Sequence, residues 1–243
     1  MSSASTEPAI TAPCVPTANV YVDGFNLYYG CLQESACRWL DLEALCRRLL
    51  PGRHVKRIRY FTARVKGPAA QRQDVYLRAL ATLRSVSIHQ GTFLAHTVLM
   101  PVADRPHPRA TALVEYRAPS GVWHGLTFRH PGRPMRASVR KQEEKGSDVN
   151  LATFLLLDAF RRDCDEAYVL SGDSDLATPI SVANRVLSLP VGVINPTANR
   201  LSAELQRAAR TYRTLRPAIL RTCLLPPLLV DAGGRPIRKP PGW

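Results

Sequence analysis

The chain has 243 residues, enough for one well-cored domain or a domain carrying a modest insertion. Apolar residues make up 45% and charged residues 21%, ordinary for a soluble globular protein, and no apolar run reaches the roughly 18 residues that a membrane span needs. Thirty-three Lys and Arg against 19 Asp and Glu leave a net charge of +14, which favours polyanionic partners, nucleic acid first and an anionic membrane surface second.

Residues 1–18 are rich in Ser, Thr, Ala and Pro and lack a basic region followed by an apolar block. They read as a disordered leader, not a secretory signal. NVYVD (19–23) is a short β-rich run suited to a buried strand. WLDLEALCRRLL (39–50) spaces Leu42, Leu45, Cys46 and Leu49 along one helix face and stops at Pro51-Gly52. A strand over 54–63, an amphipathic helix over 71–85 and a third strand over 86–94 follow.

From about 97 to 140 proline and arginine dominate. ALVEYRA and VWHGLTF flank Pro119-Ser120-Gly121 there and predict a β-hairpin insertion. A long helix is predicted over 144–162 with Ser147 or Asp148 near its N-cap, then an apolar strand over Tyr168–Leu170. A helix over 178–189, a fifth strand over 191–195 and a final helix over 201–213 complete the alternation. The domain is thus expected to span 19–215, and the Pro- and Gly-rich tail, 216–243, to pack loosely or be disordered. The six cysteines show no CxxC pair and no zinc spacing, and read as reduced thiols of a cytoplasmic protein.

Strands alternating with helices imply an α/β fold with a parallel sheet covered on both faces, and such sheets bind ligands where the strand order reverses. Asp23 ends the first strand, Asp173 ends the fourth with Asp175 two residues on, and Asp148 opens the helix between the third and fourth. In a sheet ordered 3-2-1-4-5 these acids would meet. Clustered carboxylates repel one another unless a multivalent cation neutralises them, and all-oxygen ligands suit a hard ion, Mg²⁺ or Mn²⁺. Singly, each acid could equally be a helix cap or a turn residue.

VYVDGFNLYYG, EKGSDVNLA and YVLSGDSDLATPI together resemble the NYN domain family, the LabA-like branch of the PIN-like nucleases, and RLSAEL (200–205) extends the likeness. That resemblance implies a three-layer, PIN-like sandwich with the 3-2-1-4-5 parallel sheet and Mg²⁺-dependent ribonuclease activity. It implies Asp23, Asp148, Asp173 and Asp175 as metal ligands and catalytic acids, with Asn26 orienting Asp23 or a metal-bound water. Ser171 and Ser174 would hydrogen-bond the carboxylates, and Lys145 would meet a phosphate. Arg57, Arg59, Arg64, the arginines of the insertion and Arg140/Lys141 are candidates to guide an RNA backbone, and Tyr28, Tyr29 and Trp39 to stack on bases. The expected partner is RNA, and the expected function is ribonuclease, with a non-catalytic RNA-binding or partner-recruiting module as the alternative. A TOPRIM-type site, which wants a glutamate at position 23, and a haloacid-dehalogenase-type site, which wants D-x-D at 23–25, fit less well.

Overall fold

Thr17–Asp23 (β1) is a strand buried on both faces, with Val20 and Val22 in one apolar cluster and Tyr21 in the other. The computed structural model describes residues 15–101, 116–117, 123–124, 136–197 and 201–243. Most of the predicted leader and insertion lie outside the described residues, as do Arg200 and the side chains of Arg140 and Lys141. Asp23 closes β1 by accepting the amide of Asn26, which starts the short helix Gly24–Leu27 (α1) and a π-helical turn over Tyr28–Leu32. Leu42–Leu49 (α2), capped by Asp41, leads to His54–Ala63 (β2), and Ala69–Leu80 (α3) leads to Val86–Pro101 (β3). Tyr116–Arg117 (β4) and Trp123–His124 (β5) pair antiparallel. Both belong to a second unit, Phe93–Glu143, distinct from the unit made by the rest of the chain.

Arg136–Lys145 (β6) precedes Ser147–Phe160 (α4) and Glu166–Leu170 (β7). A 3₁₀ turn over Ser174–Leu176 runs into Ala177–Arg185 (α5), followed by Val191–Asn195 (β8), Ala203–Ala208 (α6) and Thr211–Thr214 (β9). The chain finishes with Pro217–Leu220 (α7) and the antiparallel pair Leu228–Val230 (β10) and Pro236–Arg238 (β11).

The main sheet runs β6-β3-β2-β1-β7-β8-β9, and the six strands from β3 to β9 are parallel. Successive strand residues alternate between two apolar clusters, as the two-residue strand period requires, so each face carries its own core. The face holding Val20, Val22, Ile58 and Leu170 is covered by α2, α3, α7 and the end of the chain; that holding Tyr21, Phe61 and Val169 by α4, α5 and α6. Order reverses at β1, which has β2 on one side and β7 on the other.

Two local expectations need correction. The segment predicted as a final helix breaks after Ala208, and β-branched Thr211 and Thr214 enter a sixth parallel strand instead. The tail is packed: Leu220, Cys223, Leu225 and Ile237 are buried in the first core, and Trp243 meets Trp39 edge-on at 6.4 Å. Ser147 and Asp148 lie near the N-cap of α4, as expected; the cap itself is Gly146, at φ 99°, a left-handed backbone that suits glycine. The buried side of that helix is set by Leu151, Leu155, Asp158 and Ala159, so the charge within its apolar run faces inward.

Candidate functional site

The sequence motifs converge on a hydrogen-bonded knot at the carboxyl ends of β1 and β7. Asp23, only 5% exposed, accepts from the Asn26 amide at 2.9 Å and from Ser171 Oγ at 3.0 Å. Ser171 Oγ in turn accepts the Asp173 amide at 3.1 Å, and Asn26 Oδ1 accepts the Gly172 amide at 2.9 Å. Burial raises the Asp23 carboxyl above its usual range, the two donors pull it back, and nearby Asp173 pushes it up further. Gly24 is glycine for closeness: a Cβ there would come within 2.7 Å of the Phe61 carbonyl and the Tyr60 ring. The 23–26 turn is therefore clamped directly against β2.

Each expected site residue can now be located. Asp23, Asn26, Ser171 and Asp173 come together, with both Asp23 oxygens committed to donors inside the fold. Asp173 caps the 3₁₀ turn through the Asp175 amide at 3.0 Å, while Ser174 and Asp175 are exposed. Asp148 is exposed in the first turn of α4, and Lys145 is exposed at the end of β6. Among the described residues no group of three or more His, Cys, Asp or Glu is placed to hold a metal ion. Asp23, Asp148, Asp173 and Asp175, expected as Mg²⁺ or Mn²⁺ ligands, are not drawn into such a group.

Of the expected backbone guides, Arg59 is wrongly assigned. It is 6% exposed, grips Asp158 through Nε and Nη2 at 2.9 Å each, and lies over the Phe154 ring at 4.5 Å. Asp158 also accepts the Tyr21 hydroxyl at 2.7 Å, which makes the cluster a structural fastener between β1, β2 and α4. Arg57 stands 3.8 Å from Asp163 and Arg64 3.5 Å from Asp74, both pairs solvated and weak. Trp39 is buried, with its indole nitrogen donating to the Pro226 carbonyl at 2.8 Å, and is not free to stack on a base.

Two cavities flank α1. A polar one of about 320 Å³ is lined by Asn26, Gly172, Asp173, Ser174, Thr197 and Ser202. The other, of about 250 Å³, is walled by Phe25, Tyr28, Tyr29, Tyr60, Tyr76 and Trp243, with Arg38, Arg72, Gln33, Gln73 and Thr62 as its polar edge. Its frame is fixed: the Tyr76 hydroxyl donates to the Leu40 carbonyl at 3.0 Å, and Gln73 ties the end of β2 through Ala63 O and Val65 N, both at 2.9 Å. Tyr60 and Tyr76 meet edge-on at 6.5 Å, and Trp243 sits 5.7 Å from Tyr76. Tyr28 and Tyr29 were legible as aromatic candidates. Arg38, Arg72 and Trp243 were not, because only the tertiary return of the tail brings Trp243 to α3. Burial pushes the Cys31 thiol up to about 12 and the Cys164 thiol up to about 11, which disfavours the nucleophilic thiolate at both. No helix among the described residues is long and apolar enough to cross a membrane.

No family model matches the chain. It is 25% identical over 252 residues to 6-hydroxy-3-succinoylpyridine 3-monooxygenase HspA of Pseudomonas putida (strain DSM 28022 / S16), across 92% of this chain and 74% of that protein. Among solved structures it is similar to a protein of unknown function, VPA0982, from Vibrio parahaemolyticus RIMD 2210633, with a TM-score of 0.51 and 15% identity. That match covers 89% of this chain and 100% of the other, and is a likeness of fold alone. Similarity to a monooxygenase along nearly the whole chain overturns the expected Mg²⁺-dependent ribonuclease, and with it the hydrolase chemistry and the RNA-binding-module alternative.

Proposed function

We propose that the chain is an oxidoreductase of the monooxygenase kind, built on an NYN-like, PIN-like scaffold, that adds one oxygen atom to a small aromatic substrate. The scaffold reading is supported by the central order β3-β2-β1-β7-β8 and by the D-G-F-N and S-G-D-S-D turns at its carboxyl ends. The reaction class is supported by the 25% identity to a monooxygenase that acts on a substituted pyridine.

The observation that carries the proposal is the aromatic cavity. Open α/β sheets bind ligands beyond the carboxyl ends of their strands, and this cavity lies there, lined by Gly24 after β1 and by Tyr60 and Thr62 near the end of β2. Ligand cavities usually span roughly 300–1,000 Å³, so one near 250 Å³ suits a single substituted ring. Tyr28, Tyr60 and Tyr76 can surround such a ring edge-on and exclude water, while Gln73, held by β2, keeps its polar edge in place. Asp23 does not line either cavity; it positions α1, whose two sides face them.

A dinucleotide cofactor does not fit at the first βα turn. Folds that hold one there seat its pyrophosphate on the helix N-terminus, and here the Asp23 carboxylate already occupies that end and would repel a phosphate. The two electrons that reduce the second oxygen atom to water are therefore assigned to a reduced nicotinamide or flavin arriving as co-substrate. The test is to incubate the purified chain with 6-hydroxy-3-succinoylpyridine, a reduced nicotinamide or flavin, and heavy-isotope O₂. One labelled oxygen atom per product molecule is the expected result. Oxygen uptake no greater than in the substrate-free control, with either reductant, overturns the reading.

A further inference from the structure

We propose that the aromatic cavity selects substrates bearing a carboxylate, which Arg38 and Arg72 bind at its polar edge; this rests on the reading of the cavity as the substrate site. Arg38 is the starting point. Its Nη2 donates to the Gln33 carbonyl at 2.6 Å and its Nη1 reaches the Gly242 carbonyl at 3.5 Å. Both partners are neutral, and the second bond is at the limit of length. Nε is covered yet makes no hydrogen bond, and no carboxylate among the described residues pairs with the guanidinium.

A buried donor left without an acceptor is uncommon in a folded protein and asks for an explanation. Here the group lines a cavity walled by aromatic rings, with Gln33, Thr62, Arg72 and Gln73 at its polar edge and no carboxylate in its lining, so a ligand is the natural source of the counter-charge. Arg72, on the first turns of α3, borders the same cavity, is exposed, and has no ion-pair partner among the described residues. Two guanidinium groups without an ion-pair partner among the described residues, set beside aromatic walls, match an aromatic ring with a carboxylate arm. Guanidinium binds carboxylate through paired N–H donors, and a small swing of the Arg38 side chain would turn Nε to it.

The experiment is a titration of the full chain with 3-succinoylpyridine and with its neutral amide, followed by calorimetry. The acid is expected to bind at least about tenfold more tightly than the amide, the size of one charge-assisted contact. That preference should fall to about twofold or less in Arg72→Gln and in Arg38→Gln while amide affinity stays the same. Arg38 also braces Gln33 and Gly242, so its variant is checked by thermal melting; exposed Arg72 supplies the test independently of folding. Equal binding of acid and amide by the unaltered chain, a preference that survives both substitutions, or binding of neither probe at millimolar concentration overturns the proposal. So does inorganic phosphate competing as well as the acid, which would make the site a phosphate site. Charge-selective binding without oxygen incorporation would keep this inference and remove the monooxygenase reading, so the two fail separately.

Discussion

Arg59 and Arg38 carry the same guanidinium into two very different surroundings. Arg59 sits on the α4 face of the sheet, held by both oxygens of Asp158 and stacked on Phe154, with every charge answered inside the fold. Arg38 sits at the cavity on the opposite side, and among the described residues it is bonded only to neutral carbonyls, with Nε unsatisfied. The difference teaches that a basic residue in this strongly positive chain is read by what answers it. A closed pair fastens the fold, and an open one is available to a ligand.

The largest effect should come from opening the closed pair. Asp158→Ala leaves Arg59 buried without a counter-ion and strands the Tyr21 hydroxyl, and should cost about 3–5 kcal/mol in urea unfolding. A loss below about 1 kcal/mol would mean that water reaches the cluster, and the contrast with Arg38 would collapse.

The next test concerns the chain end that completes the cavity. Ile237 is 1% exposed, so Ile237→Ala should cost about 2–4 kcal/mol, whereas a loosely attached tail would show almost no change.

Ser171→Ala should cost about 1–3 kcal/mol at neutral pH, because Asp23 loses one of its donors and the Asp173 amide its acceptor. The folded-state pKa of Asp23 is raised, so its contribution to stability is present below the unfolded value and lost as pH rises through the folded one. Removing the serine raises that pKa further. The stability gap between the two proteins should therefore narrow on acidification, and a gap that is flat with pH would show that Asp23 is not the group affected.

The smallest effect belongs to His89, which stacks on Phe61 at 4.9 Å and is held below its usual pKa by burial and then by Arg59. A lowered histidine adds stability above its unfolded value of about 6.5 and loses it as pH falls below that. The melting-temperature gap between the chain and His89→Asn should thus be wider at pH 8 than at pH 5, by a degree or two at most. A gap that widens towards acid would reverse the assigned sign.

These comparisons also show what a sequence reader could and could not see. The strand VGVIN matches β8 residue for residue, because its ends are marked by Pro190 and Pro196 and its interior is apolar and β-branched. The D-G-F-N and S-G-D-S-D motifs were rightly paired in space, since strand order alone brings their ends together. Their chemistry was misread. Local spacing does not reveal that Asp23 uses both oxygens on its own turn and on Ser171. Arg59 was misread for a related reason, since only the packing of α4 on β2 delivers Asp158, ninety-nine positions away, to its guanidinium. The cavity was least legible of all: Trp243 lies in a Pro-rich stretch without periodicity, and its role appears only when β10 and β11 fold back over α3.

The central claim is that the aromatic cavity, and not the polar one beside Asp173, receives the substrate. A crystal structure of the chain soaked with 3-succinoylpyridine tests it most directly. The account predicts the ring among Tyr28, Tyr60 and Tyr76 with its carboxylate at Arg38 and Arg72. Ligand density instead over Asn26, Asp173 and Thr197, with the aromatic cavity filled only by solvent, would contradict it.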